Sequence, residues 1–143
     1  MSTIKVDNIK MRLTTKSEYS LLALVTLARA KNGRYIKLSE ICDKYKISHK
    51  YLDQLFITLR KKGLIVSKRG EHGGYRLGKK ADKIYLADII RIMDGALAPI
   101  DSVSKYFYAH SPLEKEKSIL KIFKDIRDYV SNKLEKQKLS DFI

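Results

Sequence analysis

The spacing of hydrophobic positions changes along the chain, and each change marks an element. Residues 1–10 show no period and read as an extension. Thr15-Lys16-Ser17-Glu18 fits a capping box, in which Thr15 accepts from the new helix and Glu18 reaches back. Tyr19, Leu21, Leu22, Leu24, Val25, Leu27 and Ala28 cover more than one face, which predicts a central, largely buried helix. Asn32-Gly33 closes it, and Tyr35-Ile36 predicts a short strand. A second helix near residues 38–45 carries Leu38, Ile41 and Cys42 on one side. After the short connection Lys46-Ile47, Ser48 is an N-cap for a third helix. There Leu52, Leu55, Phe56 and Leu59 fall at i, i+3, i+4 and i+7, a single core stripe. The other side shows His49, Lys50, Gln54, Thr58 and Lys61, and Gly63 ends the helix. Two helices joined by a short turn, the second with an exposed polar face, form the helix-turn-helix pattern.

Residues 64–68 and 75–78 read as two strands around the tip Arg69-Gly70-Glu71-His72-Gly73-Gly74. Glycine permits positive φ and removes bulk, so such a tip can lie close to a partner, and arginine beside it suits a narrow, negatively charged groove. Leu86, Ile89, Ile90 and Met93 predict a fourth helix closed by Asp94-Gly95, and residues 96–110 read as a loop. Ser111-Pro112-Leu113-Glu114 has the form of a helix start. Ile119, Ile122, Phe123, Ile126, Val130 and Leu134 continue from it at helical spacing. A helix running to residue 137 would be roughly 39 Å long at about 1.5 Å per residue. Its apolar stripe is more than a chain of this size covers alone, which predicts pairing with a second copy. The expected architecture is mainly α with a small β-hairpin wing: an N-terminal extension (1–10), a winged helix-turn-helix domain (11–95), a loop (96–111), and a dimerisation helix with a C-terminal tail (112–143).

Composition sharpens this picture at one point. The chain has 143 residues, 44% of them hydrophobic, and a formal net charge of +14. Residues 1–80 hold 19 Lys and Arg against 6 Asp and Glu, leaving +13, whereas residues 81–143 hold 11 against 10, leaving +1. Solubility does not require such a partition, but a polyanion-binding surface does. The longest uncharged apolar run, residues 19–28, falls well short of the roughly 20 residues of a membrane span. One cysteine excludes an internal disulfide and agrees with a reducing cytoplasm.

The motifs in this order resemble the Rrf2 family of bacterial transcription regulators. The resemblance rests on Met11-Arg12-Leu13-Thr14-Thr15-Lys16 with Tyr19, on Ile47-Ser48-His49-Lys50-Tyr51-Leu52-Asp53-Gln54-Leu55, and on Leu59-Arg60-Lys61-Lys62-Gly63-Leu64-Ile65. Arg69-Gly70 through Gly73-Gly74-Tyr75-Arg76-Leu77, and Leu86-Ala87-Asp88-Ile89-Ile90-Arg91 with Asp94-Gly95, continue it. It implies a winged helix-turn-helix, a homodimer paired through the long helix, and promoter binding, usually as a repressor, on a palindromic operator in double-stranded DNA. By position it implies that Ser48, Lys50, Tyr51 and Gln54 face the major groove or its phosphates, and that Arg69 enters the minor groove. The chemistry agrees: glutamine bonds adenine, lysine bonds guanine or phosphate, and a tyrosine hydroxyl suits a phosphate oxygen. His49, Arg60, Lys61, Lys68, His72, Gly73, Gly74 and Tyr75 complete the expected surface, with Lys62 as a further helix-end charge.

The chain departs from its family in the loop before the long helix, where many relatives hold an iron–sulfur cluster on three cysteines. Residues 96–110 contain none, and such clusters need thiolates for most of their ligands. No cofactor is therefore expected, and Cys42 reads as a buried structural thiol. Tyr106, Phe107 and Tyr108 read first as a plug between the helix-turn-helix domain and the long helix, and otherwise make the loop a candidate site for an effector small molecule or partner protein. There is no P-loop, no HExxH and no plausible Cys/His pair, so the sequence reads as non-enzymatic. A non-specific nucleic-acid-coating protein is the competing class. With no Trp and 9% aromatic residues, the basic half lacks the stacking platform such a protein uses.

Overall fold

The computed structural model describes residues 13–99, 101–106 and 108–143. The expected extension 1–10, Met11, Arg12 and the loop residue Phe107 lie outside the described residues. Helix α1 (Thr15–Ala28) is followed by a single 3₁₀ turn at Lys31–Gly33, then by α2 (Leu38–Tyr45) and α3 (His49–Lys61). Strands β1 (Ile65–Lys68) and β2 (Gly74–Leu77) pair antiparallel in the register Ile65↔Leu77, Val66↔Arg76, Ser67↔Tyr75 and Lys68↔Gly74. Helix α4 (Leu86–Asp94) leads through the loop to α5 (Lys117–Glu135), and a 3₁₀ turn at Leu139–Phe142 follows. The whole is a helix-turn-helix with a β-hairpin wing, as the hydrophobic periods predict.

One core serves most of the chain. Ala23 and Leu24 of α1, Ile41 of α2, Leu52, Phe56 and Leu59 of α3, and Ile89 of α4 are all buried in it. Phe56 meets the Tyr75 ring edge-on at 4.7 Å, which fastens the recognition helix to the wing. Lys46, in the left-handed region at φ 55°, ends α2, and Ser48 caps α3 by accepting from the Tyr51 N–H. The expected Tyr35-Ile36 strand reduces to one residue: Ile36 exchanges both backbone hydrogen bonds with Tyr75, each 2.8 Å. The hairpin strands each lie one position from expectation, and Gly78 still donates to the Leu64 carbonyl at 2.9 Å.

Three local expectations change. The capping box at Thr15 and Glu18 does not form. Thr14 occupies the cap position without a side-chain cap bond. Instead the Asp94 carboxylate, from the far end of α4, accepts from the Thr14 N–H at 3.0 Å, from the Thr14 hydroxyl, and from the Ser17 hydroxyl at 2.7 Å. An anion brought by another helix meets the positive end of α1, and so replaces the local carboxylate. The long helix also starts later than expected. Pro112–Lys115 forms a 3₁₀ turn, and the Ser111 hydroxyl donates to Ser102 at 2.8 Å rather than capping. With 19 residues, α5 is about 28 Å long at about 1.5 Å per residue. Finally, the segment after α5 returns to the main core: Leu139 is fully buried, its N–H donates to the Ile84 carbonyl at 2.9 Å, and Arg29 holds the Phe142 carbonyl.

Candidate nucleic-acid interface

The buried stripe of α3 dictates what its other face can offer. With Leu52, Leu55, Phe56 and Leu59 inside, the residues diametrically opposite at 100° per residue are Lys50, Gln54, Ile57 and Lys61, all exposed. These four form a continuous outward ridge. Ile57, 40% exposed, is the member that sequence reasoning missed. Its signal was available, since it lies three residues after Gln54 and four before Lys61, on no core position. An apolar side chain there can meet a thymine methyl.

The remaining α3 residues sit at the flanks of the ridge. Ser48 and His49 are exposed at the N-terminal end. Tyr51 turns toward α1: its hydroxyl lies 3.0 Å from the Thr15 hydroxyl, and its ring meets Tyr19 edge-on at 5.6 Å. It braces α3 against the start of α1. Arg60 turns the other way, toward the wing, with a guanidinium nitrogen 3.5 Å from the Ser67 hydroxyl.

The wing separates into an outward and an inward set. Lys68, Arg69, Glu71 and His72 are exposed along the β1 end and the turn, which the Gly73 N–H closes onto the Gly70 carbonyl at 3.0 Å. Gly73, Gly74 and Tyr75 face inward. A Cβ at Gly73 would lie 2.1 Å from the Lys68 carbonyl oxygen, and one at Gly74 would lie 2.5 Å from that of Ile36. Both glycines therefore serve the closure of the hairpin and its seating on Ile36. The Tyr75 ring is packed on Phe56 and its backbone groups are engaged with Ile36. Sequence reasoning placed these three on the binding surface because it counted the tip as one exposed unit. It also passed over Arg76, which is exposed on β2, with its guanidinium 4.7 Å from the Tyr35 ring centroid; the Lys68 ammonium approaches the same ring at 5.5 Å. Strict alternation along a half-buried hairpin, Tyr75 in and Arg76 out, carries that signal.

Behind this surface, α4 ties the helix-turn-helix half to the rest. Partial burial alone would raise the Asp94 carboxyl. Hydrogen bonds from Ser17 and Thr14, with Lys16 nearby, outweigh it and hold the group below its ordinary value. Three residues earlier, Arg91 pairs with Glu135 of α5 at 2.6 Å and lies 4.7 Å from the centroid of the loop residue Tyr106. In the same loop Tyr108 donates to Glu114, with His110 3.0 Å from that carboxylate.

Iron–sulfur ligation finds no matching donor set in these residues. The single cysteine of the sequence, Cys42, is buried on α2, and burial raises its thiol above the ordinary value. A thiol of that kind is a poor ligand. Among the described residues, no three His, Cys, Asp or Glu side chains form a metal-holding group, and no helix is long and apolar enough to cross a membrane.

Known proteins place this geometry. The profile of the Rrf2 family, described as iron-dependent transcriptional regulators, matches residues 13–143. The HTH-type transcriptional regulator CymR of Bacillus subtilis is 33% identical over 131 residues, covering 92% of this chain and 88% of that protein. The solved structure of that CymR, the global cysteine regulator of its organism, aligns with a TM-score of 0.73 at 32% identity, over 91% of this chain and 94% of that one. IscR of Xenorhabdus nematophila, also an HTH-type transcriptional regulator, is 42% identical over 84 residues, 59% of this chain and 51% of that protein. A recognition helix with a polar ridge, a basic wing beside it and a match across nearly the whole chain make this protein a DNA-binding transcription regulator of the Rrf2 family.

Proposed function

We propose that the protein acts as a homodimeric repressor on a palindromic operator, without an iron–sulfur cluster. The observation that carries the reading is that the α3 ridge is exposed and is followed in the chain by a wing whose tip exposes Arg69. Lys50, Gln54, Ile57 and Lys61 read or clamp the major groove, Ser48, His49 and Tyr51 contact its near edge, and Arg60 and Lys68 hold phosphates. Arg69 and His72 stand at the wing tip, with Arg69 entering the adjacent minor groove. Arg76 adds charge along the same edge.

The second copy is supported by α5. Ile119, Ile122 and Tyr129 are 46%, 59% and 70% exposed, and with Ile126 they fall on one face at spacings of three and four. A different face of the same helix serves its own chain: Leu120 and Ser131 are buried, and Leu134 packs on Ala87, Ile90 and Leu97. A helix apolar on two faces buries one within its chain and the other against a partner. Two recognition helices related by a two-fold axis then meet half-sites about 34 Å apart. With one buried thiol in the sequence, the release signal comes from a source other than a resident cluster.

Fluorescence anisotropy of the full protein on operator DNA tests this. Affinity is expected to fall by about three to five decades between 50 and 200 mM salt, as for roughly 6–10 phosphate contacts. Gln54→Ala is expected to weaken the preferred sequence while leaving unrelated duplex unchanged. Equal loss on both duplexes would reduce the protein to a non-specific coat.

A further inference from the structure

The junction of α1 and α2 forms an open surface depression of about 410 Å³, whose charged rim is exposed to solvent. Its position follows from the sequence. The core side of α2 is set by Ile41 and Cys42, so Glu40 and Lys44, four residues apart, project together on the opposite side. Arg29 lies at the end of α1, and the left-handed turn at Asn32 brings Lys31 and Arg34 back over the same opening. Ala30 and Ile36 form an apolar part of the lining.

The charges around this space do not balance. Arg29, Lys31, Arg34 and Lys44 face one carboxylate, Glu40, which Arg34 already holds through both guanidinium ends at 3.2 and 3.3 Å. With Arg34 neutralised by Glu40 and Lys44 resting 5.1 Å from the Tyr45 ring centroid, Arg29, Lys31 and Lys44 leave a net positive charge on the shared concave wall, which attracts an anion. Arginine forks are shaped for carboxylate and phosphate. None of these cations belongs to the α3 ridge or to the wing tip.

One of them also touches the C-terminal segment. Arg29 directs Nε and Nη2 to the Phe142 carbonyl at 3.1 and 2.9 Å. That segment follows directly from α5 and is held in the core by Leu139. An anion that engages Arg29 competes with the Phe142 carbonyl, and so acts on the tail that continues the long helix.

We infer that this depression is a binding site for a small molecule bearing carboxylate or phosphate groups on a short apolar body, and that its occupancy loosens the tail at Phe142. This site goes beyond DNA recognition and does not depend on it.

The test uses the full-length protein without DNA, titrated with citrate and separately with inorganic phosphate at constant ionic strength, with chloride as control. Amide NMR shifts are expected to saturate at residues 26–44 and at 139–143 together, and the tighter of the two probes names the anion class. Arg29→Gln and Lys44→Gln, each checked for a native circular dichroism spectrum, are expected to weaken that binding at least tenfold and to leave DNA affinity within about twofold. Shifts that stay linear and match chloride, or that saturate only elsewhere, overturn the site. A tenfold loss of DNA affinity in these variants would assign the cations to the DNA backbone and overturn it equally.

Discussion

The two ends of this molecule bury their hydrophobic residues to very different degrees. From α1 through the wing, the apolar side chains converge on one core, and Leu24, Leu52 and Leu59 have no exposed surface. From the loop through α5, large apolar groups remain in solvent: Tyr106 is 69% exposed and Tyr129 70%. The first region is closed, with Leu139 of the C-terminal segment completing its core, and it gives the recognition helix and wing a rigid support. The second leaves one face of α5, with Ile119, Ile122 and Tyr129, exposed. The joint between them is α4, through Asp94 to α1 and Arg91 to α5 and the loop.

The comparison can be broken most severely from the closed side. Phe56→Ala removes a ring that is buried beneath both α3 and Tyr75, and is expected to cost about 3–5 kcal/mol, read as a drop in the denaturant midpoint at unchanged slope. A loss below about 1 kcal/mol would mean the wing and the recognition helix are not packed as one unit. On the open side, Ile122→Asp with Tyr129→Asp is expected to leave helical content unchanged while sedimentation shows a monomer and operator affinity falls by about a hundredfold, since one half-site is lost. Retention of a dimer would move the partner face elsewhere.

The joint gives a smaller effect. Asp94→Ala is expected to destabilise the fold by about 1–2 kcal/mol, the scale of a lost helix cap. The sign with pH follows from the depressed folded value. The contribution of Asp94 is fully present above its unfolded value of 3.8 and is lost as pH falls through the lower folded value. Urea titrations should therefore separate wild type from the variant at neutral pH and bring them together in acid. A gap that persists in acid would contradict the role of the charge. Smallest is the wing: Arg69→Ala is expected to weaken operator binding roughly tenfold and to reduce the salt slope by about one. The loss should concentrate on A·T-rich flanks.

The closed region was also the more legible in sequence, for the same physical reason. Where burial is decided by neighbours three or four residues away, as for Leu52, Leu55, Phe56 and Leu59, the period reveals the face directly. Ser48 as a cap is local in the same sense, and so is the presence of the hairpin, though each of its strands lies one position from expectation. What escaped was decided at long range. Thr15 and Glu18 have the letters of a capping box, yet the Thr15 hydroxyl pairs with Tyr51, and Asp94, 80 residues from Thr14, takes the Thr14 and Ser17 hydroxyls at the helix start. Ser111-Pro112 has the letters of a helix start, yet Ser111 bonds Ser102, and Glu116, at φ −105° and ψ 79°, precedes the regular turns of α5. Tyr75 looked like part of a basic tip, and only the Ile36 bridge shows why it points inward. The ridge residue Ile57 was hidden differently, since an isoleucine is read first as core. In each case the residue type was informative and the partner was out of reach of a local window.

Selection of bound duplexes from random-sequence DNA, with the stoichiometry of the recovered complex, tests the central claim most directly. The expected result is an inverted repeat with half-sites one helical turn apart, A·T-rich where the wings lie, and two chains per duplex. A pool that yields no consensus, or a single unrepeated site bound by one chain, would contradict it.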